Sequence, residues 1–284
     1  MFVAARVALL GLALPLLTIA GSAVRVQPPS DLDAFASKVR EVIRLEYADP
    51  IRFNYTEEGR DVDISMFGKV SVGPLQTFEV RQNPPGEAWR RLVAIDGTPL
   101  APAELARRDA EHAREMRRKA ERERSETPRQ RATRLKEEAE ELRERDEILD
   151  DAERVFAFTF VARENVGGEP VIVVDLTPRP EAIVKTSEGQ RMKRFAGRLW
   201  VGQSDYRLAR VRLHAIDSVS VGWGVVAKVE RGSGFDFVRK KVAGAWVASH
   251  LTIEGTGNTL LFRSFAIKTV KTYTNHRPYA AAAN

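Results

Sequence analysis

Residues 169–177 read EPVIVVDLT, a stretch in which four consecutive apolar residues occupy both faces of an extended chain. Successive side chains of a strand point to opposite faces, so this stretch predicts a central strand that is covered on both sides. Just before it, residues 156–160 read FAFTF, which places three phenylalanines on one face of a neighbouring strand. The two stretches together indicate a sheet with a strongly apolar side.

Similar runs lie before and after this pair and are separated by residues typical of turns. Turns are predicted, among other places, at Glu57-Glu58-Gly59 and at Gly255-Thr256-Gly257-Asn258. The spacing indicates a long antiparallel meander of about ten strands. Besides the two stretches above, strands are predicted at Ile51–Thr56, Val62–Met66, Val70–Val72, Gln76–Gln82, Trp89–Ile95, Gly197–Val201, Arg207–Ile216, Val225–Glu230, Phe235–Val242, Trp246–Glu254 and Leu260–Tyr273.

One amphipathic helix precedes the strands. Ser30 and Asp33 have the spacing of a capping box, and apolar residues recur at helical spacing behind them, which predicts a helix over Asp31–Tyr47. A large antiparallel sheet can curl into an incomplete β-barrel with an apolar inner face, and this helix would cover that face. The predicted fold class is therefore α+β, a strongly curved antiparallel sheet covered by an N-terminal helix.

Residues 101–154 differ sharply from the rest of the chain. They contain 15 basic and 17 acidic residues and no glycine, and Thr127-Pro128 is a strong start signal for a second helix. A pair of helices this polar must project into solvent or lie across the surface. Three readings stay open for this insertion: a solvated helical segment, an arm that binds a protein partner, and an arm that binds nucleic acid.

Composition limits the chemistry of the chain. Its 284 residues carry a formal net charge of +6 and include no cysteine and four histidines. Disulfides, thiolate nucleophiles and lipidation at a cysteine are therefore excluded.

Residues 197–284 hold 13 basic and 5 acidic residues, in segments that read as strands. No basic helix or Arg-aromatic pattern typical of nucleic-acid binders accompanies them, and an anionic membrane surface would explain the charge equally well. Since the chain is also predicted to be exported, we expect no nucleic-acid partner.

The N-terminus has the pattern of a targeting signal. Residues 1–23 read MFVAARVALLGLALPLLTIAGSA, with one early arginine, an uncharged stretch and small residues before a cleavage site after Ala23. We predict a secretory signal peptide and a periplasmic mature protein, residues 24–284, forming one domain interrupted by the insertion. An uncleaved membrane anchor is the alternative.

No catalytic template fits the sequence. HExxH, G-x-S-x-G and P-loop motifs are absent, and the four histidines are scattered without ligand or triad partners beside them. The acidic cluster Asp146, Glu147, Asp150 and Asp151 lies within the charged insertion and is not predicted to bind metal. We expect a non-catalytic protein without a cofactor or metal.

Two passages resemble a known family. Residues 197–211, GRLWVGQSDYRLARV, resemble the G-x-[LV]-W-[IV]-D strand–turn–strand of LolA/LolB-like outer-membrane lipoprotein-sorting proteins, with Val201-Gly202 in place of the usual Ile/Val-Asp. Residues 91–100, RLVAIDGTPL, resemble the dG-k-x-L hairpin of the same proteins. The insertion at 101–154 departs from the lipoprotein carriers and resembles other exported members of the group.

The resemblance implies a half-barrel over a hydrophobic cavity, and two functions follow as hypotheses. The first is a periplasmic carrier or sensor that holds lipid or lipoprotein acyl chains. The second is an envelope scaffold or regulator that binds a protein through 101–154, with the sheet filled by its own side chains. Under the first hypothesis the candidate cavity residues are Phe158, Phe160, Val173, Val211, Leu213, Leu251, Ile253, Phe265 and Ile267.

Overall fold

A computed structural model describes residue 29 and residues 31–50, 52–65, 70–82, 88–221, 227–259 and 264–279. The predicted signal peptide lies outside the described residues. Within them, one antiparallel sheet contains 14 strands. The strands are β1 (Phe53–Ser65), β2 (Val70–Val72), β3 (Gln76–Gln82), β4 (Ala88–Ile95), β5 (Thr98–Pro99), β6 (Phe156–Val166), β7 (Glu169–Pro178), β8 (Phe195–Gly202), β9 (Leu208–Ala215), β10 (Val219–Val221), β11 (Ala227–Val229), β12 (Gly234–Val242), β13 (Ala245–Thr259) and β14 (Ser264–Pro278).

The sheet is an open, curved meander. Its strand order is β5-β4-β3-β1-β14-β13-β12-β9-β8-β7-β6, with β2, β10 and β11 paired beside this path. Pairing of β1 with β14 joins the first run of strands to the second, and β5 and β6 form the two ends of the order. The curved sheet is not closed into a barrel and is accompanied by a few helices, which confirms the predicted α+β class.

Two predicted turns are wrong. Glu57-Glu58-Gly59 lies inside the continuous strand β1, where these residues pair with β3 and β14. Gly255–Asn258 likewise lies inside β13, which pairs there with β14 and β11. In both places cross-strand hydrogen bonding on two sides outweighs the turn preference of glycine and polar residues.

Helix α1 (Leu32–Ala48) covers one face of the sheet, as predicted. Asp31, rather than Ser30, is its N-cap: one carboxylate oxygen accepts hydrogen bonds from the backbone N–H groups of Asp33 and Ala34 at 2.9 and 3.0 Å. Ser30 lies outside the described residues. The buried Phe35 and Val39 pack against apolar side chains of β7 and β8, namely Ile172, Val174 and Val201.

The insertion forms two helices, α2 (Pro102–Arg124) and α3 (Pro128–Val155). They meet at Thr127, which caps α3 in a capping box with Gln130, so the predicted break is confirmed. Helix α2 follows the edge strand β5 and is fixed to β4 by a bidentate Arg91–Asp109 pair at 2.6 and 2.8 Å. Helix α3 leads into β6, and the insertion therefore connects the two edges of the sheet.

Candidate functional site

An apolar cavity of about 220 Å³ lies between α1, the end of α3 and the sheet. Its wall in the sheet is a row of directly paired residues: Val174 of β7, Leu199 of β8 and Val211 of β9. Because side chains at paired positions share a face, this row presents a continuous apolar surface to α1. The described residues that line the cavity are Phe35, Ala36, Val39, Arg40, Ile43, Leu149, Ala152, Glu153, Phe156, Phe158, Val174, Leu176, Met192, Leu199, Val201, Leu208, Val211 and Leu213.

The two charged residues of this lining neutralise each other. Arg40 of α1 pairs with Glu153 of α3 at 2.7 Å and with Asp150 at 2.8 Å. One turn further along, Arg44 pairs with Asp146 at 2.7 Å. These ion pairs hold α1 against α3, and the two helices close the cavity together.

A larger open groove of about 750 Å³ adjoins the cavity. Ile43, Leu208 and Val211 line both spaces. The paired row continues from Val211 to Phe237 of β12 and Leu251 of β13, so one apolar surface runs beneath both. The groove is also lined by Glu46, Tyr47, Pro50, Arg52, Phe53, Tyr55, Gln82, Arg210, Phe235, Arg239, Trp246, Val247, Ala248 and His276.

Beside the groove, the inner face of β1 and β14 carries the buried carboxylate of Glu57. Glu57 pairs with Arg90 at 2.7 Å and with Lys271 at 3.0 Å. Burial, reinforced by the Glu57 carboxylate, raises the pKa of Tyr273 to about 12. The same two causes raise the pKa of Tyr55, whose ring lies 5.8 Å from that of Tyr273. Both phenols are therefore neutral at physiological pH.

His276 lies at the same side of the groove, with its ring stacked on Tyr55 at a centroid distance of 5.6 Å. Burial lowers its pKa, as does the nearby charge of Lys240, and the backbone of Ala248 offsets only part of this effect. Neither ring nitrogen makes a hydrogen bond of normal geometry. The imidazole is therefore held neutral in an aromatic setting.

Among the described residues no group of three or more His, Asp or Glu side chains is placed to hold a metal ion. In the same part of the chain, no helix has both the length and the apolar character needed to cross a membrane.

No family model matches the sequence, and no curated protein matches it. Solved structures that resemble the chain include a domain from Vibrio parahaemolyticus assigned to outer membrane lipoprotein sorting, with 11% identity, a TM-score of 0.32 and coverage of 88% of this chain and 95% of that one. A DUF1329 family protein from Desulfovibrio piger has 10% identity and a TM-score of 0.29, and the match covers 87% and 94% of the two chains. The MucA/MucB complex of Pseudomonas aeruginosa has 12% identity and a TM-score of 0.22, and the match covers 89% of this chain and 100% of that one.

The structure places the predicted cavity residues in several environments. Phe158, Val211 and Leu213 line the cavity, and Leu251 lines the groove. Phe160 packs against the buried cluster of Phe35, Ile172 and Val174. A role in ligand binding stays a prediction for all of them.

The other predicted residues lie elsewhere. Val173 faces the opposite side of the sheet, in a cluster with Trp200 and Trp246, because it directly precedes Val174 in the strand. Ile253 and Ile267 are exposed at 37% and 38%. The side chain of Phe265 lies outside the described part of the chain.

Sequence reasoning missed the contribution of the insertion. Leu149 and Ala152 of α3 line the cavity, although they belong to a helix whose composition indicates a solvated segment. It also missed Phe235 and Phe237, whose period-two spacing on β12 was available as a signal.

Much of the basic excess of residues 197–284 is paired. Eight of its 13 basic residues form ion pairs with carboxylates: Arg198, Arg207, Arg210, Arg212, Arg239, Lys241, Lys268 and Lys271. Nearby carboxylates partly balance these charges, which weakens the attraction of this region to an anionic membrane surface.

Proposed function

We propose that the chain is a non-catalytic periplasmic binding protein of the LolA/LolB-like superfamily, which holds acyl chains of lipids or lipoproteins beneath α1. The observation that carries the proposal is the apolar row from Val174 through Leu199, Val211 and Phe237 to Leu251, with unfilled space above it. The periplasmic location rests on the predicted signal peptide.

The dimensions and chemistry of the site support an apolar ligand. Small-molecule sites typically measure about 300–1,000 Å³ and are mostly apolar. The groove falls in this range, and the adjoining cavity offers further apolar space. Each buried CH₂ group would contribute roughly 0.8 kcal/mol, so an acyl chain could gain useful affinity without a dedicated polar contact.

Native mass spectrometry of the mature protein, residues 24–284, purified from membranes tests the proposal. A bound lipid or acylated peptide is the expected result, together with uptake of a fluorescent hydrophobic probe by the delipidated protein. Val211→Trp should block uptake because position 211 lines both spaces. Ile183→Trp, at a site that is 87% exposed, is the matched control. An empty protein that takes up no probe would refute the proposal.

The exposed part of α3 favours a second candidate function, binding of a protein partner in the envelope. Leu135 and Leu142, one heptad apart on the same helix face, are 50% and 53% exposed. Residues 128–145 form a segment of α3 about 27 Å long, at a rise of 1.5 Å per residue. A photocrosslinker at position 142 should then join one discrete envelope protein, whereas a crosslinker at position 183 should not. Equal patterns at both positions would remove this candidate.

A further inference from the structure

The groove is polar at one end and apolar at the other. Tyr47, Pro50, Arg52 and Gln82 line it where α1 ends and β1 begins. Ile43, Leu208 and Val211 line it where it adjoins the apolar cavity. A ligand with a polar group at one end and a hydrocarbon chain at the other would match this order.

The charge at the polar end is positive. Glu46 is shared by two guanidinium groups, Arg239 at 3.0 Å and Arg207 at 3.6 Å, so this set carries a surplus positive charge. Arg52 is half-buried and lines the groove, and among the described residues no carboxylate forms an ion pair with it. An anionic group placed here would gain a charge-assisted hydrogen bond in a partly desolvated setting.

We propose that the ligand of the groove is an amphiphile with an anionic head group, bound with its head at Arg52 and its chain directed beneath Ile43 toward the apolar cavity. This inference rests on the proposed function and adds the charge and the orientation of the ligand. A neutral amphiphile would forgo this charge-assisted hydrogen bond with Arg52.

A matched pair of probes tests the charge. The probes are 11-(dansylamino)undecanoic acid and its methyl ester, which share one chain and differ by a single charge at neutral pH. We expect delipidated protein to bind the acid about tenfold more tightly than the ester at low ionic strength, and the difference to shrink as salt is added.

Substitution at the polar end tests the position. Arg52→Gln should abolish most of the preference for the acid while leaving affinity for the ester unchanged. The matched control is Arg277→Gln on β14, an exposed arginine outside the groove lining, which should keep the preference.

The outcomes separate the two proposals. If neither probe binds, the proposed function and this inference both fail. If acid and ester bind with equal affinity, or if Arg52→Gln leaves the preference intact, the inference fails while the proposed function stands. Unchanged thermal unfolding of the Arg52→Gln variant shows that lost preference does not come from misfolding.

Discussion

The buried carboxylate of Asp151 lies directly against the α-carbon of Gly189, so that a methyl group at position 189 would come within 2.5 Å of its Oδ2 atom. The carboxylate accepts hydrogen bonds from the backbone N–H groups of Lys185 and Thr186 and from the Thr186 hydroxyl, the last two at 2.8 Å. Burial alone would raise the pKa of Asp151, but these hydrogen bonds and the one from Arg154 outweigh it and lower the pKa. Asp151 thereby joins α3 to the segment that begins the short helix α4 (Ser187–Met192).

Replacing either residue of this contact should destabilise the protein. Asp151→Asn should lower the free energy of unfolding by about 3 kcal/mol, because the amide cannot accept all the hydrogen bonds that the carboxylate accepts. Gly189→Ala should cost about 2 kcal/mol through overlap with Asp151. Urea denaturation measures both, with Glu147→Gln on the exposed face of α3 as the control. A Gly189→Ala variant as stable as the wild type would contradict the described packing.

The ion pairs between α1 and α3 should limit the opening of α1. Arg40→Gln removes the contacts with Asp150 and Glu153, and we expect faster amide hydrogen exchange over Leu32–Ala48. The loss of stability should stay near 1 kcal/mol, since these side chains are partly exposed and the pairs are screened by salt. Glu41→Gln, at an exposed position of the same helix, should leave exchange unchanged. Equal exchange in the two variants would show that the ion pairs of Arg40 do not limit the opening of α1.

Much of the fold could be predicted from the sequence, because period-two and helical patterns report directly on which face is buried. The central strand at 169–177, helix α1 and the helix break at Thr127 are local signals of this kind. Pairing of β1 with β14 could not be predicted in this way, since it joins residues about 200 positions apart and no local pattern specifies the partner.

The candidate site was predicted less completely. Alternation identifies Phe158 and Leu213, but a strand that is apolar on both faces does not reveal which face lines the cavity. Val174 therefore lines the cavity in place of the predicted Val173, which faces the other side. The acidic residues of α3 were indistinguishable in sequence. Only the tertiary structure shows that Asp150 pairs with α1 while Asp151 turns inward to Thr186.

The insertion has a structural part and an exposed part, and deletion should separate them. Removing all of 101–154 also removes Leu149 and Ala152 from the cavity wall, so we expect a large loss of stability and of probe uptake. Replacing only residues 118–138 by a Gly/Ser linker retains the Arg91–Asp109 contact and the end of α3, and should preserve both properties. Thermal unfolding and probe fluorescence compare the two variants. If the shorter replacement is equally damaging, the exposed part of the arm also supports the sheet.

The neutral imidazole of His276 should make stability depend on pH. Its pKa is lowered in the folded protein, chiefly by burial and also by Lys240, relative to an ordinary value of 6.5. Around and below pH 6.5, His276 therefore binds a proton more readily in the unfolded chain than in the folded protein. The free energy of unfolding consequently decreases as the pH is lowered, until the lowered pKa of the folded state is reached. His276→Phe keeps an aromatic ring beside Tyr55 and removes this proton, so the variant should gain stability relative to the wild type as pH falls from 7.5 to 5.5. Urea denaturation at several pH values measures the difference, with His214→Phe at an exposed position as the control for loss of one histidine. A constant difference between His276→Phe and the wild type across this range would mean that His276 takes up its proton equally well in both states.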